Sequence, residues 1–175
     1  MMNPLTRRRD GVIVLGIDPG YALMGWGVVE SVNNKMRLIN YGCVETFAHT
    51  PMQHRLRSLY QGVRDLVQIY QPDDVAFEEL FFAHNVTTAL MVGAARGAAI
   101  IAATEYTEKL YEYTPGQIKQ AVTGNGSARK QDVQQMVRFL LHMQEIPKPD
   151  DAADAIACAI THCLSGVAKE QFRMK

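Results

Sequence analysis

Cysteine is scarce in this chain, with three residues in 175, Cys43, Cys158 and Cys163. An odd number without any C-x-x-C spacing excludes a disulfide framework and a zinc site of cysteine type. Buried free thiols are expected. Charge of one sign is missing too: 18 basic side chains face 18 acidic ones, so global charge gives no support for nucleic-acid binding, and any basic surface must be local. No apolar run approaches the ~20 residues of a membrane span, so no membrane partner is expected. The opening MMNPLTRRRD is basic but lacks the small-residue cleavage site of a signal peptide. It reads as a mobile tail over residues 1–10 of a cytoplasmic protein, with one domain over 11–167 and a short C-terminal tail over 168–175. A chain this long buries roughly 70% of its unfolded surface, so no metal is needed merely to hold it together.

What the sequence does contain is a regular alternation of elements. Val12 to Asp18 is an almost unbroken apolar run closed by Pro19-Gly20, the pattern of a buried strand and a turn. Gly25 to Glu30 and Met36 to Val44 supply two further strands. From Pro51 to Tyr70, Leu56, Leu59, Tyr60, Val63, Leu66, Val67 and Tyr70 recur at helical spacing. Val75 to Glu78 is a strand, 86–104 a helix of small side chains, and Leu110 to Tyr113 a fifth strand. Helices over 114–122, 128–143 and 150–164 complete the chain. The order predicts a single α/β domain: a mixed sheet, antiparallel at first and parallel afterwards, with helices on both faces.

Four separated carboxylates carry the chemistry. Asp18 and Glu78 end strand-like runs, and Asp151 and Asp154 stand one helical turn apart in KPDDAADAIACAITH. Each has a plain structural role available. Asp18 can cap its turn, Glu78 can be solvated while Glu79 faces inward, and acids in a first helical turn favour the helix dipole. Asp150 is the expected N-cap. Period-2 counting does not choose between Glu78 and Glu79, because the strand ends there. Taken together, the acids predict a pocket of negative charge suited to divalent cations acting on a phosphodiester. Lys119, Arg129 and Lys130 lie in or beside GNGSARK, either as phosphate contacts or as a solvated loop. The five histidines show no ligand clustering and most are expected at the surface or partly buried; His162 is too far along its helix to share an ion with the acids. Phe81 and Phe82 precede a polar turn, either as core residues or with Phe81 exposed to stack on a base.

GIDPG-x4-GWGVVE, FEELFF-x2-N-x2-TALMVGAARG, TPGQIKQAVTGNGSARKQDVQQMV and DDAADAIACAITH occur in one order from about residue 12 to 165. Together they resemble the RuvC type of Holliday-junction resolvase. The resemblance implies an RNase H-like fold, a homodimer, and Mg²⁺-dependent paired nicking of four-way junction DNA that leaves 5′ phosphate and 3′ hydroxyl ends. It implies two ions per site, with Mn²⁺ able to substitute, and a branch-migration helicase complex of the RuvA-RuvB type as partner. It places the catalytic, metal-binding acids on Asp18, Glu78, Asp151 and Asp154, and so selects Glu78. It assigns Phe81 to the junction, Lys119 and Lys130 to phosphates, and the region from Gly93 to Ala103 to the dimer interface. The sequence departs from the family pattern at His84, where Lys is frequent, and at Ala94, where Gln is frequent. Three other functions fit parts of the chain: an actin-like or sugar-kinase ATPase, a nuclease of RNA-DNA hybrids, and a non-catalytic junction-binding module.

Overall fold

The computed structural model of the chain describes residues 11–80 and 86–175. Three antiparallel strands come first, β1 (Val12–Asp18), β2 (Leu23–Val32) and β3 (Lys35–Glu45), followed by helix α1 (Met52–Tyr70). Then follow β4 (Asp74–Glu78), α2 (Val86–Thr104), β5 (Leu110–Tyr113), α3 (Pro115–Thr123), α4 (Lys130–Leu140) and α5 (Asp150–Ser165). The strand order is β3-β2-β1-β4-β5, with β4 parallel to both β1 and β5. This is the RNase H-like mixed sheet with helices on both faces that the sequence led us to expect.

Strand alternation explains why β1 is apolar throughout. Ile13, Leu15 and Ile17 join the layer containing Leu59, Val63 and Val67 of α1 and Ala95 and Ala99 of α2. Val14 points the other way, into the layer built by α3, α4 and α5. A strand buried on both faces has no polar side. Helix α5 lies close against the sheet because both surfaces are trimmed. It presents buried Ala152, Ala155 and Ala159, while a Cβ at Gly16 would strike the Ala155 carbonyl and one at Gly25 the Asp151 carbonyl. The glycines therefore set the height at which the acidic first turn of α5 stands above β1 and β2.

Three features add to the sequence reading. His162 is buried, 2% exposed: its Nδ1 meets the Tyr113 hydroxyl at 2.8 Å and its Nε2 meets Asp74 Oδ2 at 3.0 Å. Asp74, also buried, takes a second partner, the Lys169 ammonium. Burial pushes the Asp74 carboxyl up, but its bonds to His162 and Lys169 outweigh this and hold it below the usual range. A buried carboxylate needs such partners, and they join α5 and its continuation to the start of β4. That continuation, a 3₁₀ helix over Gly166–Phe172, leads to Arg173, which bridges Tyr111, so the expected C-terminal tail folds against β5. Of the thiols, Cys158 is buried, whereas Cys43 and Cys163 are only partly so.

Helix α2 revises the reading of apolar runs. Its 19 residues are long and apolar enough to cross a membrane, because Arg96 is its only charged side chain. Ala95, Ala99, Ala102 and Ala103 face the core. Val86, Leu90 and Ile101 are 76, 70 and 61% exposed, and among the described residues nothing lies within 4 Å of a Cβ built at Gly93 or Gly97.

Candidate active site

The register of the sheet sets out the site. Asp18 pairs with Gly25 and Gly25 with Cys43, while Ile17 pairs with Phe77 and Glu78 with Tyr113. One row of residues, Cys43, Gly25, Asp18, Glu78 and Tyr113, therefore crosses all five strands at the end where β1 and β4 stop. Phe77 belongs to the α1 and α2 layer, so its neighbour Glu78 projects toward α5. The choice between Glu78 and Glu79 is made by this packing.

Asp151 and Asp154 approach the same end from above, on the first turns of α5. Asp150 is not the N-cap. Pro149 holds that position, its carbonyl accepts from the Ala152 amide at 3.1 Å, and the Asp150 carboxylate pairs with Lys148 at 3.1 Å and Lys130 at 3.7 Å. Proline at the cap leaves Asp150 inside the first turn, where lysines rather than helix amides take its charge.

A cavity of about 230 Å³ opens between α3, α4 and α5, lined by Glu78, Lys119, Lys130 and Asp154 with apolar Pro115, Ile118, Val133 and Ala157. Lys130 Nζ donates to Asp154 Oδ2 at 2.8 Å. Lys119 makes no ion pair among the described residues. Arg129 does not join them: its side chain is 80% exposed and pairs with Asp132 at 3.1 Å. Phe81 and His84 lie outside the described residues.

The electrostatics show how tightly the acids interact. Burial, followed by the charges of Asp154 and Asp151, pushes the Asp18 carboxyl from 3.8 up to about 7, against the opposing pull of Lys130. Burial, then Asp18 and Asp154, raises Glu78 from 4.5 to about 8. Asp154 is raised as well, mainly by burial, with Lys130 opposing. Burial pulls the Lys130 ammonium down, but its bond to Asp154 and the charges of Asp154, Asp150 and Asp151 carry it above the ordinary lysine value. Carboxylates that resist ionisation for lack of counter-charge form a site that gains from an added cation.

The donor chemistry fits a hard divalent ion: four carboxylates from three elements, half-buried, with no competing imidazole on the cavity wall among the described residues. The spacing is looser than a closed coordination shell. Among the described residues no three His, Cys, Asp or Glu side chains converge closely enough to hold one ion. Mutual repulsion and the turn of Asp154 onto Lys130 account for that spacing.

The sequence reading missed two neighbours. Cys43 stands beside the acids, where burial and then the charges of Asp151 and Asp18 push its thiol up to about 11, which keeps it a neutral, unreactive wall. Arg55 holds the turn after Asp18 from α1. Neither had a sequence signal, because both depend on which strands and helices become neighbours.

Similar proteins share this frame. The crossover junction endodeoxyribonuclease RuvC family matches residues 14–162. A RuvC from Caldanaerobacter subterraneus subsp. tengcongensis is 54% identical over 152 residues, 87% of this chain and 92% of that protein. One from Alkaliphilus metalliredigens is 48% identical over 164 residues, covering 94% of this chain and all of its relative. Thermus thermophilus RuvC, solved in complex with a Holliday junction substrate, superposes with a TM-score of 0.86 at 37% identity, over 93% of this chain and 99% of the other. With its strand order, its row of acids and this extent of identity, the chain belongs to the crossover junction endodeoxyribonuclease RuvC family.

Proposed function

We propose that the protein is a structure-specific endonuclease that resolves four-way DNA junctions by paired, symmetric nicks. The observation that carries this reading is the group of mutually repelling carboxylates at the strand ends, flanked by Lys119 and Lys130. Family membership and the junction-bound relative support the substrate.

Asp18, Glu78, Asp151 and Asp154 are the residues that would hold Mg²⁺, as two ions, with Mn²⁺ as substitute. When bound, such ions polarise the phosphate, favour a hydroxide nucleophile and neutralise the leaving oxygen, which gives 5′ phosphate and 3′ hydroxyl products. The protein contributes the rest. Asp18, fixed at a strand end by Pro19, keeps its carboxylate in one place. The Asp151 and Asp154 carboxylates, on the first turns of α5, approach from the other side, where Asp151 is placed to orient the attacking water. Lys119 offers its charge to a phosphate oxygen. Lys130 exchanges Asp154 for phosphate as the strand enters, and this shift lets Asp154 turn toward the other acids. Phe81 is assigned to the junction's opened base pairs. Cleavage of a mobile synthetic junction, beside linear duplex and RNA-DNA hybrid controls and with or without Mg²⁺, tests the whole reading. Nicks in the junction alone, at opposed strands and only with the ion, are expected; equal cleavage of the hybrid would refute it.

Two nicks on two-fold related strands call for two sites, and the uncovered face of α2 supports a homodimer. Leu90, Ile101 and the open backbone at Gly93 and Gly97 suit close packing against a second copy through an isologous contact. Leu90→Asp with Ile101→Asp should weaken dimerisation by about 30-fold or more, the effect of losing a central apolar contact. Analytical ultracentrifugation reads it, and a dimer of wild-type strength in the double variant would clear α2 of this role. A branch-migration complex of the RuvA-RuvB type is the partner implied by the family.

A further inference from the structure

The turn that follows Asp18 is fastened to α1 by a single side chain. The Arg55 guanidinium lies over the Tyr21 ring, 3.8 Å from its centroid. Its Nε donates to Thr46 Oγ1 at 2.8 Å and its Nη2 to the Tyr21 carbonyl at 3.4 Å. Thr46 in turn donates its hydroxyl to the Tyr21 carbonyl at 2.7 Å and its amide to the Ala22 carbonyl at 2.9 Å. This network holds the guanidinium plane without using its Nη1 edge, which makes no hydrogen bond among the described residues. Arg55 also forms no ion pair among them, and Glu45, exposed nearby at the end of β3, does not take it.

A partly buried, oriented guanidinium with a free edge and no carboxylate can receive an oxyanion such as a phosphate. Next to it stands Phe47, 70% exposed, with Met52 44% exposed beyond. An exposed aromatic beside an unpaired arginine combines a stacking surface with a phosphate contact.

The location fits the same substrate. Asp18, Gly25 and Cys43 form one row across β1, β2 and β3. Thr46 and Phe47 follow that row three and four residues beyond Cys43, at the end of the sheet where the acids stand. Lys119 and Lys130 flank the acids on the side of α3 and α4, whereas Arg55 and Phe47 lie two strands away on the other side. Two strand spacings of ~4.8 Å across the sheet and three residues of ~3.3 Å along β3 make this separation roughly 14 Å, a few nucleotides along a duplex strand.

We infer that Arg55 and Phe47 form a second DNA contact, in which Arg55 binds a backbone phosphate a few nucleotides from the scissile one and Phe47 packs on the adjoining nucleotide. The inference rests on the junction-cleaving reading. The contact extends the footprint of each site along one arm, on the side opposite Lys119.

The competing role for Arg55 is a staple that merely closes the corner, and binding measurements separate the two. Full-length protein, with Ca²⁺ in place of Mg²⁺ to hold cleavage off, is titrated with a synthetic four-way junction over a range of salt. Arg55→Gln should reduce the slope of log K against log salt by about one, as for any lost phosphate contact. Phe47→Ala should weaken binding about fivefold or more at an unchanged thermal midpoint. In Mg²⁺ both should raise KM far more than they lower kcat. If Arg55→Gln lowers the thermal midpoint, Phe47→Glu decides alone, since its side chain has no fold to support; unchanged junction affinity in that variant overturns the inference. Wild-type slope and affinity in all three variants, with wild-type junction cleavage intact, would reduce the corner to a staple and leave the proposed function standing. Absence of junction binding by the wild type would instead remove the function itself.

Discussion

Asp18→Asn should abolish cleavage while making the protein more stable. The amide keeps the shape of the carboxylate but not its charge, and the rate should fall on the order of a thousandfold or more, the ~4 kcal/mol associated with loss of a central electrostatic element. Junction affinity should stay within about twofold, because Lys119, Lys130 and Arg55 are untouched. The gain in stability has a separate cause. Burial and the nearby Asp154 and Asp151 raise the Asp18 carboxyl to about 7, so at pH 8 the folded state carries an ionised group in a place that disfavours it. At 1.36 kcal/mol per pKa unit, a rise from 3.8 to about 7 corresponds to at most roughly 4 kcal/mol, and the neutral amide recovers part of it. Single-turnover cleavage and thermal melting at pH 8 in EDTA measure both effects. A variant that cuts at near wild-type rate would remove Asp18 from the centre of the reaction, and one that melts below wild type would show that its carboxylate is structural.

The second large effect is a dependence of stability on pH that divalent ions remove. Asp18 and Glu78 have folded-state values of about 7 and 8, above their ordinary 3.8 and 4.5. The folded protein therefore holds protons that the unfolded chain has released. Their contribution to stability is complete below about pH 4 and is lost as pH rises through 7 and 8. In EDTA the melting temperature should fall between pH 5 and pH 8.5 by about 10 °C or more, taking ~2 to 4 °C per kcal/mol for a chain of this size. The two groups repel each other and titrate as a pair, so their effects are not additive. Millimolar Mg²⁺ should restore most of the loss at pH 8.5 and release protons as it binds. Asp18→Asn with Glu78→Gln should flatten the profile. If the double variant keeps the full wild-type slope, the pH dependence belongs to other groups, and the acids are not the strained site described above.

Both effects come from the same design. Lys130 lies on Asp154 and Lys119 faces the cavity, so the protein supplies less positive charge than its acids require. The His162, Asp74 and Lys169 cluster at the opposite end of the sheet shows the contrasting case. There a buried carboxylate is bonded through one oxygen to the His162 ring and the Lys169 ammonium, which hold it below the usual range, and it anchors structure. The difference between an anchoring carboxylate and a reactive one is the difference in counter-charge.

The sequence by itself determined the elements. Apolar alternation, helical spacing and the Pro19-Gly20 break placed five strands and five helices within a few residues of where they lie, since those signals depend on local geometry and on burial along one element. It also determined that acids end two strands and begin one helix. It did not determine which acid of Glu78 and Glu79 faces the site, because that follows from Phe77 packing against α1 and α2. The role of Asp150 was misread for a related reason: the cap position depends on where α5 docks, and Pro149 takes it. The burial of His162 was invisible, since its partners Tyr113 and Asp74 are 49 and 88 residues distant in sequence. Arg129 turns to Asp132 by a local contact three residues along the start of α4, whereas tertiary structure alone put Cys43 beside Asp151 and set Arg55 over Tyr21. Local periodicity fixes which way a side chain points from its own strand or helix, but what it meets there depends on strand order, register and the height at which one helix rests on the sheet.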